Sequence, residues 1–358
     1  MKSRLQRLRQ AMAEKELDAF FISQPENRRY VSGFTGSDGY VLVTPDRAVV
    51  AVDFRYTEQA AGQCAGFEVF RIIGELSAWF NDLVKGLAGA RLGFEADHMS
   101  VAAYQQMQDC LKKLDNAPKL ADTRGLVVGL RSVKESGEVE AIQKAIALSD
   151  GAFEHIRGWV RPGMTELGVA WELEKHMREH GSGAMPFDVI AAAGPNASMP
   201  HHHPGDRVIQ KGELLLMDFG ATVDGYVSDL TRTIFVGGKP DAQFRKLYDV
   251  VLGAQLTAIA TLRPGMTGAE GDKLARTVIG EAGHGEAFGH GLGHGVGLVV
   301  HEEPRVGQSS SHVLTEGMVF TVEPGVYLSG WGGIRIEDVV VLEAGGARSL
   351  TRASKDYS

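Results

Sequence analysis

Hydrophobic and polar residues follow two different periods in the first third of the chain. Short apolar runs rich in β-branched residues, YVLVT at 40–44 and RAVVAV at 47–52, are typical of strands. Apolar residues recur at helical spacing among charged ones over residues 3–16, 75–87 and 100–113. Strands interleaved with helices predict an α/β domain in this part of the chain.

A change of pattern near residue 130 predicts a domain boundary. The segment 121–140 (ADTRGLVVGLRSVKESGEVE) passes from mixed loop residues into a helix start, with Ser136 as a candidate N-cap. The chain has 358 residues, which is about twice the usual length of one domain. We therefore predict two domains, over residues 1–125 and 126–358.

The second part of the chain contains an internal repeat. The string RPGMT occurs at 161–165 and again at 263–267, 102 positions later. Each copy separates two helical patterns, with Pro-Gly as the turn between them. These patterns cover residues 135–159 and 165–180 around the first copy, and 241–261 and 267–281 around the second. A duplicated unit of helix, turn and helix is therefore predicted.

A strand follows each copy of this unit. GELLLMDFG at 212–220 matches GMVFTVEPG at 317–325, 105 positions later, which is nearly the offset of RPGMT. The match places Asp218 and Glu323 at equivalent positions near the ends of two apolar strands, and a carboxylate in a buried strand must be paired, hydrogen-bonded or bound to metal. His201 and His301 lie upstream of the matching strands. Two halves that each offer a His and a carboxylate predict a site between them.

Four carboxylates and one imidazole collect in and around these strands: Asp218, Asp229, His294, Glu323 and Glu337. The 11 positions from Asp218 to Asp229 fit two adjacent strands joined by a turn at residues 224–225, and the 14 from Glu323 to Glu337 allow the same arrangement. Four carboxylates carry more negative charge than one divalent ion can neutralise, but such a set suits two ions about 3.5–4 Å apart. Mn, Co, Zn or Fe would fit these ligands.

Composition and charge narrow the functional class. Apolar residues make up 44% and charged residues 23%, as in globular proteins, and no apolar run is long enough to span a bilayer. The formal charge is −8 without a basic block, so we expect neither a nucleic-acid nor a membrane partner. Cys64 and Cys110 permit neither a Cys-x-x-Cys site nor a disulfide framework, and the charged N-terminus lacks a signal sequence. Together these features predict a cytoplasmic protein.

Glycine is the one residue type in clear excess. The chain has 45 glycines, and 14 of them fall within residues 280–333, around His294 and Glu323. Glycine allows strands and loops to approach one another closely and to turn sharply. We therefore interpret the excess as a feature of the predicted site.

The ordered motifs resemble those of the metallopeptidases with the pita-bread fold, specifically the branch of the Xaa-Pro aminopeptidases and prolidases. The five metal ligands of that family occur in the order Asp, Asp, His, Glu and Glu. They match Asp218 in MDFG, Asp229 in SDLTRT, the second His of HGLGH (His294), Glu323 in VEPG and Glu337 in RIED. Two further family histidines match His301 in VVHEEP and His201 in GPNASMPH.

The N-terminal half is similar to the creatinase-type domain of the same branch, through YVSGFTGSDGYVLVT at 30–44 and VDFRYTEQA at 52–60. The resemblance thus covers nearly the whole chain. It implies an α/β (α+β) protein with a creatinase-like domain over residues 1–125 and, over 126–358, a pita-bread catalytic domain with a pseudo-twofold repeat. It also implies a homodimer, and it disfavours a methionine aminopeptidase, which usually lacks the N-terminal domain.

The resemblance further implies a dinuclear metal site, with Mn as the favoured metal and Co, Zn or Fe as alternatives. Asp229 and Glu337 would bridge the two ions. Asp218 would complete the ligands of one ion, and His294 and Glu323 would bind the other.

The implied reaction is hydrolysis of the bond between an N-terminal residue and a following proline, in short peptides with proline at the second position. Glu323 would carry the proton from the nucleophile to the leaving amine. His301 and His201 would donate hydrogen bonds to the carbonyl oxygen as it gains charge. Arg335, two residues before Glu337, is expected to hold that ligand in place.

Other functions stay open at this stage. GFTGS followed by Asp-x-Arg-Tyr favours an aminopeptidase over an Xaa-Pro dipeptidase (prolidase), which is the main alternative. Pita-bread proteins that are metal-free C–N hydrolases or binding modules normally lose several metal ligands, whereas all five positions are filled here. The string HEEP lacks the second His of H-E-x-x-H, and the chain has no G-x-S-x-G or Walker string.

Neighbouring histidines compete with two of the assignments. His202 and His203 adjoin His201, and a shift of one residue in an extended segment turns a side chain to the opposite face. His284 and His290 lie close to His294, which only the family spacing favours.

Overall fold

The computed structural model describes residues 3–357, and its internal contacts divide the chain into two compact units between Arg131 and Ser132. The first unit is built on one six-stranded sheet with the order β4-β3-β2-β1-β5-β6. Its strands are β1 (Ala19–Ile22), β2 (Tyr40–Val43), β3 (Ala48–Val52), β4 (Glu68–Arg71), β5 (Arg91–Glu95) and β6 (Lys119–Thr123). Its helices are α1 (Arg4–Glu14), α2 (Pro25–Ser32), α3 (Thr57–Gln63), α4 (Leu76–Leu83), α5 (Val101–Leu111) and α6 (Leu126–Ser132).

One hydrophobic cluster of this unit lies between the sheet and the helices α4 and α5. Every residue of β1 and β3 is buried, because both faces of these strands are covered. Phe21 of β1 stacks on Tyr40 with ring centroids 5.1 Å apart, and it meets Phe80 of α4 edge to face at 5.6 Å. The helical and strand patterns read from the sequence coincide with α1, α4, α5, β2 and β3.

Over residues 132–357, the second unit contains four long helices, two short 3₁₀ turns and two main sheets. The helices are α7 (Ser136–Trp159), α8 (Glu166–Glu179), α9 (Ala242–Thr261) and α10 (Gly268–Glu281). The first sheet has the order β11-β8-β7, from β7 (Ile190–Ala193), β8 (Glu213–Phe219) and β11 (Leu230–Val236), and a small hairpin pairs β9 (Thr222–Val223) with β10 (Tyr226–Val227).

The second sheet of this unit has the order β13-β12-β14-β17-β18. Its strands are β12 (Gly293–Gly295), β13 (Glu302–Val306), β14 (Val319–Val322), β17 (Asp338–Glu343) and β18 (Gly346–Ser349). A second hairpin pairs β15 (Gly325–Leu328) with β16 (Gly332–Arg335). Each main sheet is therefore accompanied by one hairpin inserted between two of its strands.

The two RPGMT strings adopt the same conformation at equivalent places. Gly163 and Gly265 have φ angles of 96° and 94°, a left-handed backbone that glycine adopts without a steric cost from Cβ. Thr165 and Thr267 are the N-caps of α8 and α10, and each hydroxyl accepts a hydrogen bond from a backbone N–H three residues later. The duplicated unit of helix, turn and helix is present in the structure.

Helix α7 begins where the sequence predicted it, but its N-cap is Glu135 and not Ser136. The side chain of Glu135 accepts a hydrogen bond from the backbone of Glu138, and the backbone N–H of Glu135 donates to the Glu138 carboxylate at 3.0 Å. The prediction was one residue late because glutamate is an uncommon N-cap, and only the reciprocal pair with Glu138 makes it effective here.

Strand β8 lies between two separate hydrophobic clusters. Leu214 and Leu216 face a cluster that includes Phe320, whereas Leu215 and Met217 face another that includes Phe153. Burial of both faces explains the uninterrupted apolar run of this strand, in which Asp218 is the exception. Among residues 3–357, no helix has both the length and the apolar character needed to cross a membrane.

Candidate functional site

A hairpin brings Asp218 and Asp229 to the same end of the first sheet. Strands β8 and β11 are antiparallel with Asp218 opposite Thr231, and Asp229 directly precedes β11. The turn lies at residues 224–225, as predicted, with φ angles of 52° and 76°. Positive φ at both central positions is the geometry that two-residue hairpin turns favour.

The second copy repeats this arrangement with Glu323 and Glu337. Strands β14 and β17 pair antiparallel, with Val322 opposite Asp338. Glu323 directly follows β14 and Glu337 directly precedes β17, while the hairpin of β15 and β16 connects the two strands. The two halves therefore present four carboxylates from equivalent positions.

His294 of β12 faces these carboxylates with one nitrogen. Its Nε2 lies 3.6 Å from Oδ2 of Asp229 and 3.2 Å from Oε1 of Glu323. Its Nδ1 lies 3.2 Å from the carbonyl oxygen of Gly295, a contact that orients the ring as in many metal-bound histidines. One ligand atom from each of Asp229, His294 and Glu337 lies within 4.8 Å of the other two.

The glycines on either side of His294 are required by close backbone contacts. A Cβ at Gly293 would lie 1.9 Å from the carbonyl oxygen of Thr321, and one at Gly295 would lie 2.1 Å from that of Glu303. Only glycine allows β12 to approach its neighbours this closely. Part of the glycine excess noted in the sequence is thus explained at this strand.

Arg335 contacts Asp218 directly and Glu337 only through Thr231. Its Nη2 donates to Oδ2 of Asp218 at 2.6 Å, and its Nε donates to the hydroxyl of Thr231 at 3.0 Å. That hydroxyl donates in turn to Oε2 of Glu337 at 2.7 Å. Within residues 3–357 no direct hydrogen bond joins Arg335 and Glu337, because the chain leaves the β15–β16 hairpin after Arg335 and enters a different sheet at Asp338, so Thr231 mediates the contact.

Tyr327 and His290 belong to the same network, and sequence reasoning missed both. Nη1 of Arg335 donates to the hydroxyl oxygen of Tyr327 at 2.8 Å, and Nε2 of His290 lies 2.8 Å from the same oxygen. Burial raises the pKa of Tyr327 to about 12, so its hydroxyl keeps its proton at neutral pH. The available sequence signals were the first His of HGLGH and a tyrosine two positions after VEPG.

The carboxylates of the cluster are buried close to one another, which disfavours their charged forms. Burial and the charge of Glu337 raise the pKa of Asp229 well above its usual range, and burial and the charge of Glu323 do the same for Glu337. Burial also raises the pKa of Asp218, although the positive charge of Arg335 opposes this. A cation among these groups would favour their ionised forms.

His294 and Glu323 form the ion-paired part of the site. Burial alone would lower the pKa of His294, but the hydrogen bond to Glu323 and its charge raise it. Burial alone would raise the pKa of Glu323, but the hydrogen bond and charge of His294 lower it. The two side chains therefore stabilise each other's charge in the absence of a metal ion.

The residues present fit a pair of divalent ions. Carboxylates and one imidazole are the ligand types that Mn, Zn and similar metals accept. Oδ1 of Asp218 is buried without a hydrogen-bond partner among the described residues, so it is free to act as a ligand. The hydroxyl of Thr231 donates to Oε2 of Glu337 at 2.7 Å, and the hydroxyl of Thr321 donates to Oε1 of Glu323 at 3.0 Å. Both contacts orient the carboxylates.

The two histidines predicted to act on the substrate line the same cavity as the cluster. The ring of His301 lies 4.2 Å from that of His294, centroid to centroid. Burial and the positive charge of His294 lower the pKa of His301 to about 4, so the ring is neutral near pH 7.

His201 is exposed on the cavity wall, and it has no hydrogen bond within residues 3–357. His202 also lines the cavity, but its Nε2 is bonded to Oε2 of the fully buried Glu166 at 2.9 Å. Of these two neighbours, His201 is therefore the one with free nitrogens.

The cavity has a volume of about 1110 Å³. Phe187, Ile190 and Val300 supply apolar wall, and Arg305 of β13 adds a basic side chain that sequence reasoning did not single out. The charge of Arg305 influences the pKa of both His294 and His301, so its guanidinium lies near the predicted catalytic groups.

Comparisons with known proteins agree with this architecture. Residues 140–344 match metallopeptidase family M24, and residues 4–133 match the creatinase/prolidase N-terminal domain. An uncharacterized peptidase of Bacillus subtilis (strain 168) is 40% identical over 353 residues, which covers 99% of each chain.

Two solved structures show the same fold over nearly the whole length. The Xaa-Pro dipeptidase from Bacillus anthracis has a TM-score of 0.93 and 40% identity, and the match covers 99% of this chain and 98% of that one. The X-Pro aminopeptidase from Thermotoga maritima MSB8 has a TM-score of 0.88 and 35% identity, with 97% and 99% covered. These matches confirm the expected creatinase-like domain followed by a pita-bread domain. The chain belongs to metallopeptidase family M24 and carries a creatinase/prolidase N-terminal domain.

Proposed function

We propose that the chain is an Xaa-Pro aminopeptidase, which releases the N-terminal residue from peptides with proline at the second position. The observation that carries the proposal is the buried cluster of Asp229, His294 and Glu337, with His301 beside it on the wall of a large cavity. The two solved structures compared above bear the names of peptidases that act at Xaa-Pro, which supports cleavage at proline.

The residues proposed to hold two divalent ions are Asp218, Asp229, His294, Glu323 and Glu337. Manganese is the proposed metal. When bound, such ions lower the pKa of a water molecule and polarise a carbonyl oxygen, so that hydroxide is available near neutral pH.

Glu323 is proposed to move the proton during hydrolysis. Its Oε1 accepts a hydrogen bond from Thr321 at 3.0 Å and lies 3.2 Å from Nε2 of His294. The hydrogen bond and charge of His294 lower its pKa against the effect of burial, so the carboxylate is ionised and can accept a proton. It would take that proton from the attacking water and deliver it to the imino nitrogen of the leaving proline.

His301 and His201 are proposed to stabilise the carbonyl oxygen. His301 is neutral near pH 7 because burial and the charge of His294 lower its pKa to about 4, and a neutral imidazole retains one N–H to donate. A donor placed against an oxygen that gains negative charge stabilises the tetrahedral intermediate more than the substrate. His201, with both nitrogens free, would donate the second hydrogen bond.

The size of the cavity favours an aminopeptidase. Its volume of about 1110 Å³ lies just above the roughly 300–1,000 Å³ that is usual for small-molecule sites. A dipeptide fills only part of such a space, whereas a longer peptide can extend along it. The leaving proline has no N–H to recognise, so the apolar wall of Phe187, Ile190 and Val300 is proposed to hold its ring.

An Xaa-Pro dipeptidase is the second candidate, and Arg305 is the observation that favours it. A dipeptide ends in a free carboxylate one residue beyond the scissile bond, and a guanidinium on the cavity wall is a suitable partner for that group. The solved structure with 40% identity bears the name Xaa-Pro dipeptidase.

The two candidates are separated by comparing Ala-Pro with Ala-Pro-Ala and Ala-Pro-Ala-Ala, before and after loading with Mn²⁺. The proposal expects metal-dependent release of alanine from the longer peptides. Cleavage of the dipeptide alone would replace the aminopeptidase by the dipeptidase. Turnover that is equal without metal, or that does not depend on proline when Ala-Ala-Ala is tested, would overturn the proposed function.

Asp229→Ala tests the ligand assignment directly. The variant should lose bound metal and activity together, whereas Asp224→Asn in the exposed turn of the same hairpin should keep both. If Asp229→Ala retained two ions and near-normal turnover, the ligand set would be wrong.

The homodimer and the cytoplasmic location expected from the sequence stay predictions. The dimer is tested by light scattering of the metal-loaded protein after size-exclusion chromatography, where a mass near twice 38.6 kDa is expected. A mass near 38.6 kDa at micromolar concentration would contradict it.

A further inference from the structure

A buried ion pair of the catalytic domain lies directly beside His301 in the chain. Nζ of Lys134 lies 2.7 Å from Oε1 of Glu302, and the two side chains are 0% and 4% exposed. Nζ also donates a hydrogen bond to the carbonyl oxygen of Ser132 at 3.3 Å. A buried ion pair often stabilises a protein no more than apolar side chains of similar size would, so stability alone does not explain this one.

The carboxylate of Glu302 joins the two ends of the segment that carries His301. Glu302 begins strand β13, and successive side chains of an extended chain point to opposite sides. In agreement with this alternation, His301 lines the cavity and Glu302 is buried. A Cβ on Gly297 would lie only 2.2 Å from Oε1 of Glu302, so this carboxylate lies against the backbone at the start of the segment.

The segment 296–301 connects β12 to β13 without regular secondary structure. The carbonyl of Gly297 accepts a hydrogen bond from the N–H of Val227 at 2.9 Å, and the N–H of Gly297 donates to the carbonyl of Val299 at 3.1 Å. Both bonds lie near the beginning of the segment. The ion pair of Glu302 fixes its other end, next to His301.

The backbone of Lys134 is itself held in place, so its amine is a fixed point. The N–H of Lys134 donates to the carbonyl of Gly317 at 2.9 Å, and Val133 forms an isolated β-bridge with Met318. Glu135, the next residue, is the N-cap of α7. The ion pair therefore connects the segment of His301 to a helix start and to the strand region ahead of Glu323.

We propose that Lys134 is a positioning residue for catalysis, whose ammonium group holds the carboxylate of Glu302 and thereby fixes the imidazole of His301 beside the metal site. The inference rests on the proposed function, because His301 is assigned there as a donor to the carbonyl oxygen. Such a donor has to be held within about 0.5 Å of its productive position. Lys134 does not line the cavity, so it acts on the reaction only through Glu302 and His301.

The first experiment measures the hydrolysis of Ala-Pro-Ala by Mn²⁺-loaded Lys134→Met, in which an apolar side chain of similar length replaces the amine. We expect kcat to fall roughly 10- to 100-fold, because a displacement of about 1 Å in a catalytic group can lower the rate about 100-fold. KM and the content of bound metal should stay within twofold of the wild type. A kcat within twofold of the wild type would overturn the proposal.

A double-mutant cycle with His301→Ala tests whether Lys134 acts through this histidine. In the His301→Ala background the imidazole is gone, so Lys134→Met should lower kcat by less than about twofold. A loss as large as in the wild-type background would mean that the two residues act independently, and it would overturn the proposal.

Two further variants separate positioning from stability. Lys134→Met leaves a buried carboxylate unpaired, whereas Lys134→Met/Glu302→Gln removes both charges and should recover most of the urea midpoint while kcat stays low. Recovery of kcat together with the midpoint would overturn the proposal. The matched control is Leu173→Ala, which creates a cavity under α8 in a different hydrophobic cluster from that of Val296. It should lower the urea midpoint and leave kcat within twofold of the wild type.

Hydrogen–deuterium exchange separates this inference from the proposed function. In Lys134→Met/Glu302→Gln the amides of residues 296–303 should exchange at least tenfold faster than in the wild type, whereas those of α8 should be unchanged. Faster exchange in this segment supports the positioning role even if the wild type cleaves no Xaa-Pro peptide, which would refute only the proposed function. Unchanged exchange in the segment would overturn the positioning role, whatever the wild type cleaves.

Discussion

The guanidinium of Arg335 donates a hydrogen bond to Oδ2 of Asp218 across 2.6 Å, and both side chains are largely buried. The same guanidinium contacts the hydroxyls of Thr231 and Tyr327. Arg335 thus keeps one oxygen of Asp218 engaged, while the other has no hydrogen-bond partner among residues 3–357.

Replacing Arg335 by glutamine should destabilise the protein strongly. Removing one partner of a buried ion pair leaves the other charge uncompensated, which typically costs about 3–5 kcal/mol of unfolding free energy. Urea unfolding of the metal-free protein measures this loss. The matched control is Arg207→Gln, whose pair with Glu213 also has a distance of 2.6 Å but is more exposed, so a loss of about 1 kcal/mol or less is expected. Equal losses in the two variants would contradict the special role of burial at Arg335.

Thr231→Val should weaken metal binding with little effect on the fold. Valine has nearly the shape of threonine but lacks the hydroxyl that donates to Glu337 and accepts from Arg335. Loss of such an orienting contact is expected to lower metal affinity about 10- to 100-fold. Competition with a chelator measures the affinity. In Thr233→Val, which loses only contacts to the backbone of Arg335, the affinity should change much less.

Stabilisation by metal should increase with pH. In the metal-free protein, burial and neighbouring carboxylates raise the pKa of Asp229 and of Glu337. Their contribution to stability is therefore full below the ordinary carboxyl pKa of about 4 and is lost as pH rises through the raised folded values. Ion binding replaces these protons, so the stabilisation that the metal provides increases as pH rises over the same range.

We accordingly expect the rise in Tm on adding Mn²⁺ to be larger at about pH 8 than at about pH 6, which differential scanning fluorimetry can measure. Asp229→Ala, without a complete site, should show little rise at either pH. A rise in the wild type that is independent of pH would argue against protonated carboxylates in the metal-free site.

His202→Ala should be more disruptive than His203→Ala. His202 bonds to the buried carboxylate of Glu166, which also accepts hydrogen bonds from the backbone of Ala193 and from Asn196. Removing the imidazole leaves one oxygen of Glu166 with fewer donors, at a cost of about 1–3 kcal/mol in unfolding free energy. His203 is exposed and has no hydrogen bond in the part of the chain that the structure describes. Similar unfolding curves for the two variants would contradict this difference.

Arg305→Gln should affect dipeptides more than longer peptides. If its guanidinium binds a terminal carboxylate, KM for Ala-Pro should rise about tenfold or more, whereas KM for Ala-Pro-Ala-Ala should change little. Steady-state kinetics on both substrates measures the ratio. An equal rise for both would indicate that Arg305 acts on a part of the site that all substrates share.

The sequence predicted those features that depend on local pattern. The two RPGMT turns and the strands that follow them could be found because each copy repeats the same residues at nearly the same offset. The hairpin turn at residues 224–225 could be found because Asp-Gly between apolar runs has few other conformations. The proximity of Asp218 and Asp229 followed from that turn.

Contacts that cross between elements could not be read in the same way. Whether Arg335 reaches Asp218 or Glu337 depends on where the chain passes from one sheet to the next, and no spacing within the motif RIED contains that information. The bond between His202 and Glu166 joins residues 36 positions apart, and it decides which of three adjacent histidines is engaged.

The duplicated hairpins have a mechanical consequence for the catalytic domain. Asp218 and Asp229 come from the first copy and Glu323 and Glu337 from the second, so ions held by all four would act as cross-links between segments at least 94 residues apart. A cross-link that closes so long a loop restricts the unfolded chain most strongly. The ions would then add cross-links to the hydrophobic cluster that already joins the two copies through Leu214, Leu216 and Phe320, so metal removal should lower the stability of the catalytic domain as a whole.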